Sequence, residues 1–402
     1  MNKFLLTAGA VAIAISSMAQ EAADSAKTEQ KGFVFTDVIT IPSTSVKDQN
    51  KSGTCWSFAG TGFIEDAVRK LKGDSLDLSE MFTVRMCYLE KARRDVRLQG
   101  HGNVGQGGSL VDVGYVMKHY GAMPEEIYTG LNYGAPKHDH DELSRVIDAY
   151  MNAVTRGSKT TTAWEAGLIG ILDAYLGKVP ETFTYNGVEY TPKTYAESLG
   201  INFDDLIPFT SYTHHPYWEP FALEVCDNWL WEQYNNVPLQ VMKEIVDNAL
   251  QNGYTVNWAA DVSEKGFKWN EGYAVLPAKK NEADLQGTEL SRWVKLSDAD
   301  KEAEAYKFTG PKDLVEVTVT PEMRQEMYEL HETTDDHGMV IVGTAVDQDG
   351  NKYYKVKNSW DTNHVYNGYF YVSEPYFLAK TMSFMVHKNA IPKDVRKRFN
   401  IK

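Results

Sequence analysis

The segment KDQNKSGTCWSFAG, residues 47–60, places a cysteine between a polar loop and an apolar run. From Phe58 to Leu71 the apolar residues recur every three to five positions, which predicts one face of a helix that stops at Gly73. Cys55 is therefore expected at or just before a helix N-terminus. Unpaired N–H groups and the helix dipole favour an anion there, so we expect the pKa of this thiol to lie below its ordinary value of about 8.5.

A thiolate nucleophile needs a base, usually histidine, and a group that orients the base. The C-terminal segment DDHGMVIVGTAVDQDGNKYYKVKNSW contains such a pair. His337 precedes an apolar run, residues 339–346, that predicts a buried strand, and after the turn DQDG the alternating residues 352–357 predict its partner. This hairpin returns Asn358 to His337, where its amide can accept the imidazole N–H. Trp360 can shield that hydrogen bond from water.

These residues resemble the papain-like cysteine peptidases. The run GTCW ending at Trp56 matches the family's nucleophile motif, and NSW ending at Trp360 matches the region around its orienting asparagine. Gln49 stands six residues before Cys55, where the family places its oxyanion-hole glutamine, and GQGGSL contains a glycine pair like the one that lines the substrate cleft. The resemblance implies four catalytic residues, Cys55, His337, Asn358 and Gln49, and four substrate-binding residues, Gly107, Gly108, Trp56 and Trp360.

Two departures from papain itself indicate the branch of the family. Ser52 replaces the first cysteine of the motif, so the disulfide built there in secreted papains is absent. The separation of Cys55 and His337, 337 − 55 = 282, exceeds the usual spacing by about 130–150 residues. An insertion between about residues 135 and 300 accounts for this excess.

Residues 107–126, 176–200 and 234–262 resemble the bleomycin hydrolase and aminopeptidase C family, and the resemblance covers nearly the whole chain from about Val34 to Lys393. It implies amide-bond hydrolysis and, in relatives, a hexamer whose sites face an inner cavity, so a homo-oligomer is a possible partner arrangement. The relatives also end in an arm whose terminal carboxylate meets the substrate's amino group. Because this chain stops at HKNAIPKDVRKRFNIK, apparently before such an arm, both aminopeptidase specificity and the hexamer are open.

The expected fold class is α+β, a papain-like two-lobed fold with a helical lobe, a β-barrel-like lobe and a large, mainly helical insertion. The expected organisation is a signal peptide (1–19), a flexible leader (20–33), a lobe carrying the nucleophile (34–134), the insertion with some core elements (135–300), and a β-rich lobe carrying His337 and Asn358 (301–402).

The N-terminus has the three-part layout of a secretory signal peptide: Lys3, an apolar run over residues 4–15, and small residues ending at Ala19. We therefore expect cleavage near Ala19 and export, with a bacterial periplasm as the destination. The apolar run is too short to act comfortably as a membrane anchor. The net charge of −14 argues against binding to nucleic acid or anionic lipid.

The three cysteines form no C-x-x-C pair and match no zinc ribbon, so we expect no metal and no cofactor. The pairs His138/His140 and His214/His215 have no third ligand nearby in sequence and are expected to be surface residues. Cys87 and Cys226 are expected to be small buried hydrophobes, and a disulfide between them is left open.

Three function classes follow. The first is an aminopeptidase that acts on peptide substrates through an acyl-enzyme. The second is an endopeptidase of the same chemistry, and the third is a non-catalytic peptide-binding protein on this scaffold. An acyl transferase using the same thioester also remains open, and product analysis would separate it from a peptidase.

Overall fold

The computed structural model describes residues 32–73 and 75–402. The predicted signal peptide and nearly all of the predicted leader lie outside these residues. No helix in the described part of the chain is long and apolar enough to cross a membrane.

Twelve α-helices occur in the described residues, and six of them precede residue 200 and build a helical region around the nucleophile. The helices are α1 (Cys55–Lys72), α2 (Glu80–Arg97), α3 (Asp112–His119), α4 (Asp141–Thr155), α5 (Ala163–Leu176), α6 (Pro192–Ser198), α7 (Leu239–Gln251), α8 (Gly287–Trp293), α9 (Asp298–Ala305), α10 (Pro321–Glu329), α11 (Glu374–Lys380) and α12 (Lys393–Arg398).

The second region is built on one large, mostly antiparallel sheet. Its order is β5-β6-β4-β13-β7-β10-β11-β12-β9-β8, with β1 also paired to β10, and β2 and β3 form a separate hairpin. The strands are β1 (Thr36–Thr40), β2 (Phe183–Tyr185), β3 (Val188–Tyr190), β4 (Leu206–Thr210), β5 (Pro220–Ala222), β6 (Gln233–Asn236), β7 (Val256–Ala260), β8 (Phe267–Lys268), β9 (Tyr273–Ala274), β10 (His337–Val346), β11 (Lys352–Lys357), β12 (Tyr369–Ser373) and β13 (Thr381–His387).

The predicted hairpin is the centre of this sheet. Strands β10 and β11 pair antiparallel from Val340 opposite Lys357 to Val346 opposite Lys352. Strand β10 is buried along nearly its whole length, because helix α1 packs on it and β7 pairs along its other edge. This pairing explains its unbroken apolar sequence.

Residues 135–300 share the cores of both regions, and four of their buried residues form a small further cluster: Tyr212, Phe221, Leu223 and Tyr234. Helices α4 and α5 add side chains such as Leu143 and Leu172 to the core around α1. Strand β7 lies between β13 and β10, and α7 packs in the core beneath the sheet. The segment is therefore part of the sheet, because β4 pairs with β13, and β7 pairs with β13 and β10, which satisfies backbone groups of these two strands.

Candidate active site

Cys55 is the first residue of helix α1 and is partly buried. Its neighbour across the lobe boundary is Gly338, the second residue of β10. A Cβ at Gly338 would lie 3.0 Å from the Cα of Trp56, so only glycine lets the strand approach the helix this closely. The close approach brings the start of β10, and with it His337, to the N-terminus of α1.

The environment of the Cys55 thiol differs from the sequence expectation. The pKa of this thiol is raised to about 11, with burial as the largest cause; a backbone hydrogen bond with Gly338 and another with Trp56 oppose the rise, and the charges of Asp335 and Asp227 add to it. The prediction of a lowered thiol pKa is therefore wrong for the free protein. Desolvation outweighs the stabilisation that the helix N-terminus offers to an anion.

His337 and Asn358 form the hydrogen bond that the hairpin predicts. His337 Nε2 lies 2.7 Å from Asn358 Oδ1, and both side chains are buried. The same Oδ1 accepts the backbone N–H of Ser359 at 2.7 Å, so this atom is the amide oxygen and His337 Nε2 must be the donor. The proton on Nε2 leaves Nδ1 of the neutral ring as the basic nitrogen.

Burial also lowers the pKa of His337 to about 4, although the hydrogen bond to Asn358 and the charge of Asp336 favour the protonated ring. An isolated charge is thus unfavourable on either the thiol or the imidazole. Proton transfer from Cys55 to His337 would create both charges together, and each would stabilise the other.

Trp360 covers the imidazole. Its ring stacks on that of His337 with centroids 4.5 Å apart and planes at 30°. Trp269 packs edge-on against Trp360 at 5.1 Å and holds it in place. The indole keeps water from the hydrogen bond between His337 and Asn358.

Gln49 is buried and fixed at both ends of its carboxamide. Nε2 donates to the carbonyl of Ser52 at 2.7 Å, and Oε1 accepts the hydroxyl of Ser359 at 2.7 Å. The second N–H of this amide has no hydrogen-bond partner among the described residues. It is the donor that an oxyanion beside Cys55 could use.

The side chains next to the glycine pair, Gly107 and Gly108, differ from those that the sequence predicts. A Cβ at Gly108 would meet the Trp56 indole at 2.7 Å, and the indole N–H bonds to the carbonyl of Gln106 at 2.9 Å. Trp56 is only 2% exposed, so its ring supports the glycine wall from inside. The prediction that this ring contacts substrate is wrong. A Cβ at Gly107 would meet Asp227 Oδ2 at 2.1 Å, so the Asp227 carboxylate lies directly against Gly107.

Sequence reasoning missed two acids beside the nucleophile, Asp227 and Asp335. Burial raises the pKa of Asp335 to about 7, and the charges of Asp227, Asp336 and Asp112 add to that shift. Asp335 also lines a cavity of about 590 Å³. The sequence could have indicated Asp335, because the pair Asp335-Asp336 directly precedes His337. Nothing in the sequence links Asp227 to Gly107.

The predictions for the remaining cysteines and histidines are right for some residues and wrong for others. Among the described residues all three cysteines are free, so Cys87 and Cys226 do not pair. Cys87 is buried as predicted, whereas Cys226 is exposed and the prediction of a buried residue is wrong. His138 and His140 are buried, not at the surface as predicted. Their ring centroids lie 5.9 Å apart, and burial lowers the pKa of His140 to about 4.

Comparisons with known proteins indicate the family to which the chain is similar. Residues 37–165 match the model of the papain family of cysteine proteases, and residues 271–402 match that of the peptidase C1-like family. The chain is similar to aminopeptidase C of Lactobacillus delbrueckii subsp. lactis, with 22% identity over 90% of this chain and 83% of that protein. It is also similar to the mitochondrial cysteine proteinase 1 of Saccharomyces cerevisiae, with 21% identity over 92% of this chain and 80% of that protein.

Among solved structures, the chain is similar to PepW from Lactobacillus rhamnosis HN001. The TM-score is 0.69 at 19% sequence identity, and the match covers 98% of this chain and 92% of that chain. This likeness shows the same fold, and it extends across the helical region, the central sheet and residues 135–300 together.

Proposed function

The chain is a papain-like cysteine peptidase of the aminopeptidase C family, and from that premise we propose that it removes N-terminal residues from peptides through Cys55, His337 and Asn358. The observation that carries the proposal is the 2.7 Å bond between His337 Nε2 and an Asn358 oxygen that also accepts a backbone N–H. This bond keeps the ring proton on Nε2, and Nδ1 is then free to act as the base for the Cys55 thiol at the start of α1.

The reaction proceeds in two halves. In the first, the Cys55 proton moves to His337 Nδ1 as the sulfur bonds to the scissile carbonyl carbon. The oxyanion accepts hydrogen bonds from the backbone N–H of Cys55, which a first-turn residue does not use in its helix, and from the free N–H of Gln49. His337 then gives its proton to the departing amine, which leaves an acyl-enzyme. In the second half, His337 takes a proton from water as the hydroxide bonds to the acyl carbon. The C–S bond then breaks to release the acid, and His337 returns the proton to the Cys55 sulfur.

The acids beside the thiol support an aminopeptidase over an endopeptidase. Asp227 lies against Gly107 in the wall of the cleft, and Asp335 precedes the catalytic histidine by two residues. An aminopeptidase substrate carries an α-ammonium group one residue from the bond that is cut. A carboxylate that acts on the thiol through its charge, as Asp227 and Asp335 do, could also bind this ammonium group by a charge-assisted hydrogen bond, whereas an internal peptide segment offers no such cation.

Mass spectrometry of one mixed-sequence peptide, either N-terminally free or acetylated, tests the function. We expect the reduced protein to remove single residues from the free peptide and to leave the acetylated peptide nearly intact. Internal cuts in both peptides would replace the aminopeptidase by an endopeptidase of the same chemistry. Peptides that are bound but not cut would indicate the non-catalytic binding protein, and transfer of an acyl group to an added amine would indicate a transferase.

Asp335→Asn is expected to raise KM for the free peptide about tenfold to hundredfold, because one charged hydrogen bond to the ammonium group is lost. For the wild type, kcat/KM should rise as pH rises through about 7, where Asp335 ionises, and fall again when the peptide's own amino group loses its proton near pH 8. Steady-state kinetics from pH 5 to 9 would measure both effects.

Asp349→Asn, at the exposed tip of the β10–β11 turn, is the matched control because it removes the same charge far from the cleft. It should leave KM and the pH profile unchanged. If Asp335→Asn retained the wild-type KM and the limb near pH 7, Asp335 would not bind the amino group.

A further inference from the structure

We propose that His214, His215 and Glu224 form a zinc-binding site at the edge of the cavity that His214, Glu224 and Asp335 line. His214 Nε2 lies 3.1 Å from one oxygen of Glu224, and His215 Nε2 lies 3.2 Å from the other. One ligand atom from each of the three residues can be chosen so that all lie within 4.8 Å of one another. The sequence offered the two histidines without a third ligand, and the fold supplies it from the segment after β5.

The spacing of these atoms suits a tetrahedral ion. Zinc binds nitrogen and oxygen ligands at about 2.0–2.2 Å, which puts neighbouring ligands of a tetrahedron roughly 3.3–3.5 Å apart. Each histidine lies just below that range from its own oxygen of Glu224, and one ligand atom from each of the three residues lies within 4.8 Å of the others. An outward shift of the side chains with a rotation of the carboxylate would admit the ion. Two imidazoles and one carboxylate leave the fourth position to water. Imidazole nitrogen also favours zinc over calcium or magnesium, which prefer oxygen ligands.

The hydrogen bonds of His214 give a second, independent indication of a cation. Gln325 Oε1 accepts the backbone N–H of Thr213 at 2.7 Å, so this atom is the amide oxygen. His214 Nδ1 lies 3.1 Å from the same oxygen and must donate to it. In the neutral ring Nε2 then carries a lone pair that faces a Glu224 oxygen. Two acceptors at 3.1 Å are stable only with a proton or a metal ion between them.

The bond from Nδ1 to an amide oxygen is also the arrangement that orients metal-binding histidines in proteins. Aromatic packing fixes the rings further. His215 stacks on Phe221 with centroids 4.2 Å apart, and His214 stacks on Tyr328 at 5.8 Å. The hydroxyl of Tyr328 donates to the carbonyl of Glu224 at 2.7 Å, which holds the third ligand's backbone. The donors are thus oriented before any ion arrives.

A bound ion would add a link between two segments that already pack together through Tyr212 and Leu223. The loop after β4 carries the histidines, and the segment after β5 carries Glu224 and, three residues later, Asp227. Asp227 reaches the cleft at Gly107 and is held there by Asn103 Nδ2 at 3.0 Å. Zinc at Glu224 would therefore fix the segment that presents Asp227 to the cleft.

Calorimetric titration of the metal-free Cys55→Ala protein with zinc chloride tests the site, because this background removes the partly buried catalytic thiol as a competing ligand. We expect one zinc ion per chain, and a rise in the melting temperature when zinc is added. Glu224→Gln should weaken binding at least about a hundredfold, since a first ligand is lost, and Gln325→Met about tenfold to hundredfold, since the orienting acceptor is lost.

Two matched controls keep full affinity if the assignment is right. Glu219→Gln removes an exposed acid near the cluster, and His331→Ala removes a histidine that lines the same cavity but lies outside the three ligands. Circular dichroism of each variant without metal would establish that it is folded.

Cobalt substitution decides the ligands even if a variant fails to fold. The Cys55→Ala protein with cobalt should show the intense visible bands of a tetrahedral site and no thiolate charge-transfer band. A thiolate band would assign the ion to Cys226, which lines the cavity, and would overturn the proposal. An absence of saturable zinc binding would also overturn it, and would assign the cation at His214 to a proton in an ion pair with Glu224.

Discussion

Replacement of Cys55 by alanine is expected to lower kcat by about five to six orders of magnitude, the loss typical of removing a catalytic nucleophile. No other thiol can take its place: Cys87 is buried in helix α2, and Cys226 lies on the exposed segment after β5. The partners His337 and Asn358 would remain in position, because their hydrogen bond does not involve the thiol. Single-turnover and steady-state assays on the free peptide would measure the loss.

Cys226→Ser is the matched control, since it removes an exposed thiol and should keep kcat within about twofold of the wild type. An epoxide inhibitor of cysteine peptidases should label the wild type and Cys226→Ser once each, and should not label Cys55→Ala. Turnover by Cys55→Ala at the wild-type rate would contradict the assignment of the nucleophile. Labelling without turnover would point to a reactive thiol in a binding protein.

Replacement of Arg324 by methionine is expected to lower the free energy of unfolding by about 3–5 kcal/mol, because buried carbonyl groups lose their donor and each unsatisfied buried group costs about 1–3 kcal/mol. Arg324 is 1% exposed, and burial lowers its pKa. Its guanidinium donates to the carbonyls of Ser211 at 2.7 Å, of Leu378 and Ala379 at 3.0 Å each, and of Thr381. Methionine fills similar space but leaves these four acceptors without their donor.

These carbonyls lie at the end of helix α11, at the start of β13 and just after β4, so one side chain joins three parts of the sheet region. Urea unfolding followed by circular dichroism would measure the change. Arg292→Met is the control, because Arg292 is exposed and its bond to Glu304 is a surface ion pair worth at most about 1 kcal/mol. A loss below about 1 kcal/mol in Arg324→Met would mean that water replaces the guanidinium at these carbonyls.

Local sequence predicted the elements that present the catalytic groups. The helix expected from the apolar spacing after Cys55 is α1, and the hairpin expected around the turn DQDG is β10–β11. Both rest on interactions between near neighbours in the chain, such as i to i+4 contacts in a helix and pairing across a short turn. The meeting of His337 and Asn358, 21 residues apart, follows from the hairpin alone.

The electrostatics of the site did not follow from local sequence. A helix N-terminus favours a thiolate, yet the pKa of Cys55 is raised to about 11, chiefly by burial, and the charges of Asp335 and Asp227 add to the rise. Trp56, next to the nucleophile, faces the interior behind Gly108 rather than the substrate. Desolvation depends on everything packed around a group, and most of those neighbours are distant in the chain.

The sequence by itself determined the nucleophile's helix, the orienting hairpin and the resemblance to a peptidase family. Each of these depends on residues that lie close together in the chain or occur in a fixed order. Only the tertiary structure brought Asp227 to Gly107, 120 residues earlier in the chain, and Glu224 to His214 and His215. Such contacts carry no periodicity and no fixed spacing. They arise when the strands of one sheet pair in an order that differs from their order in the chain.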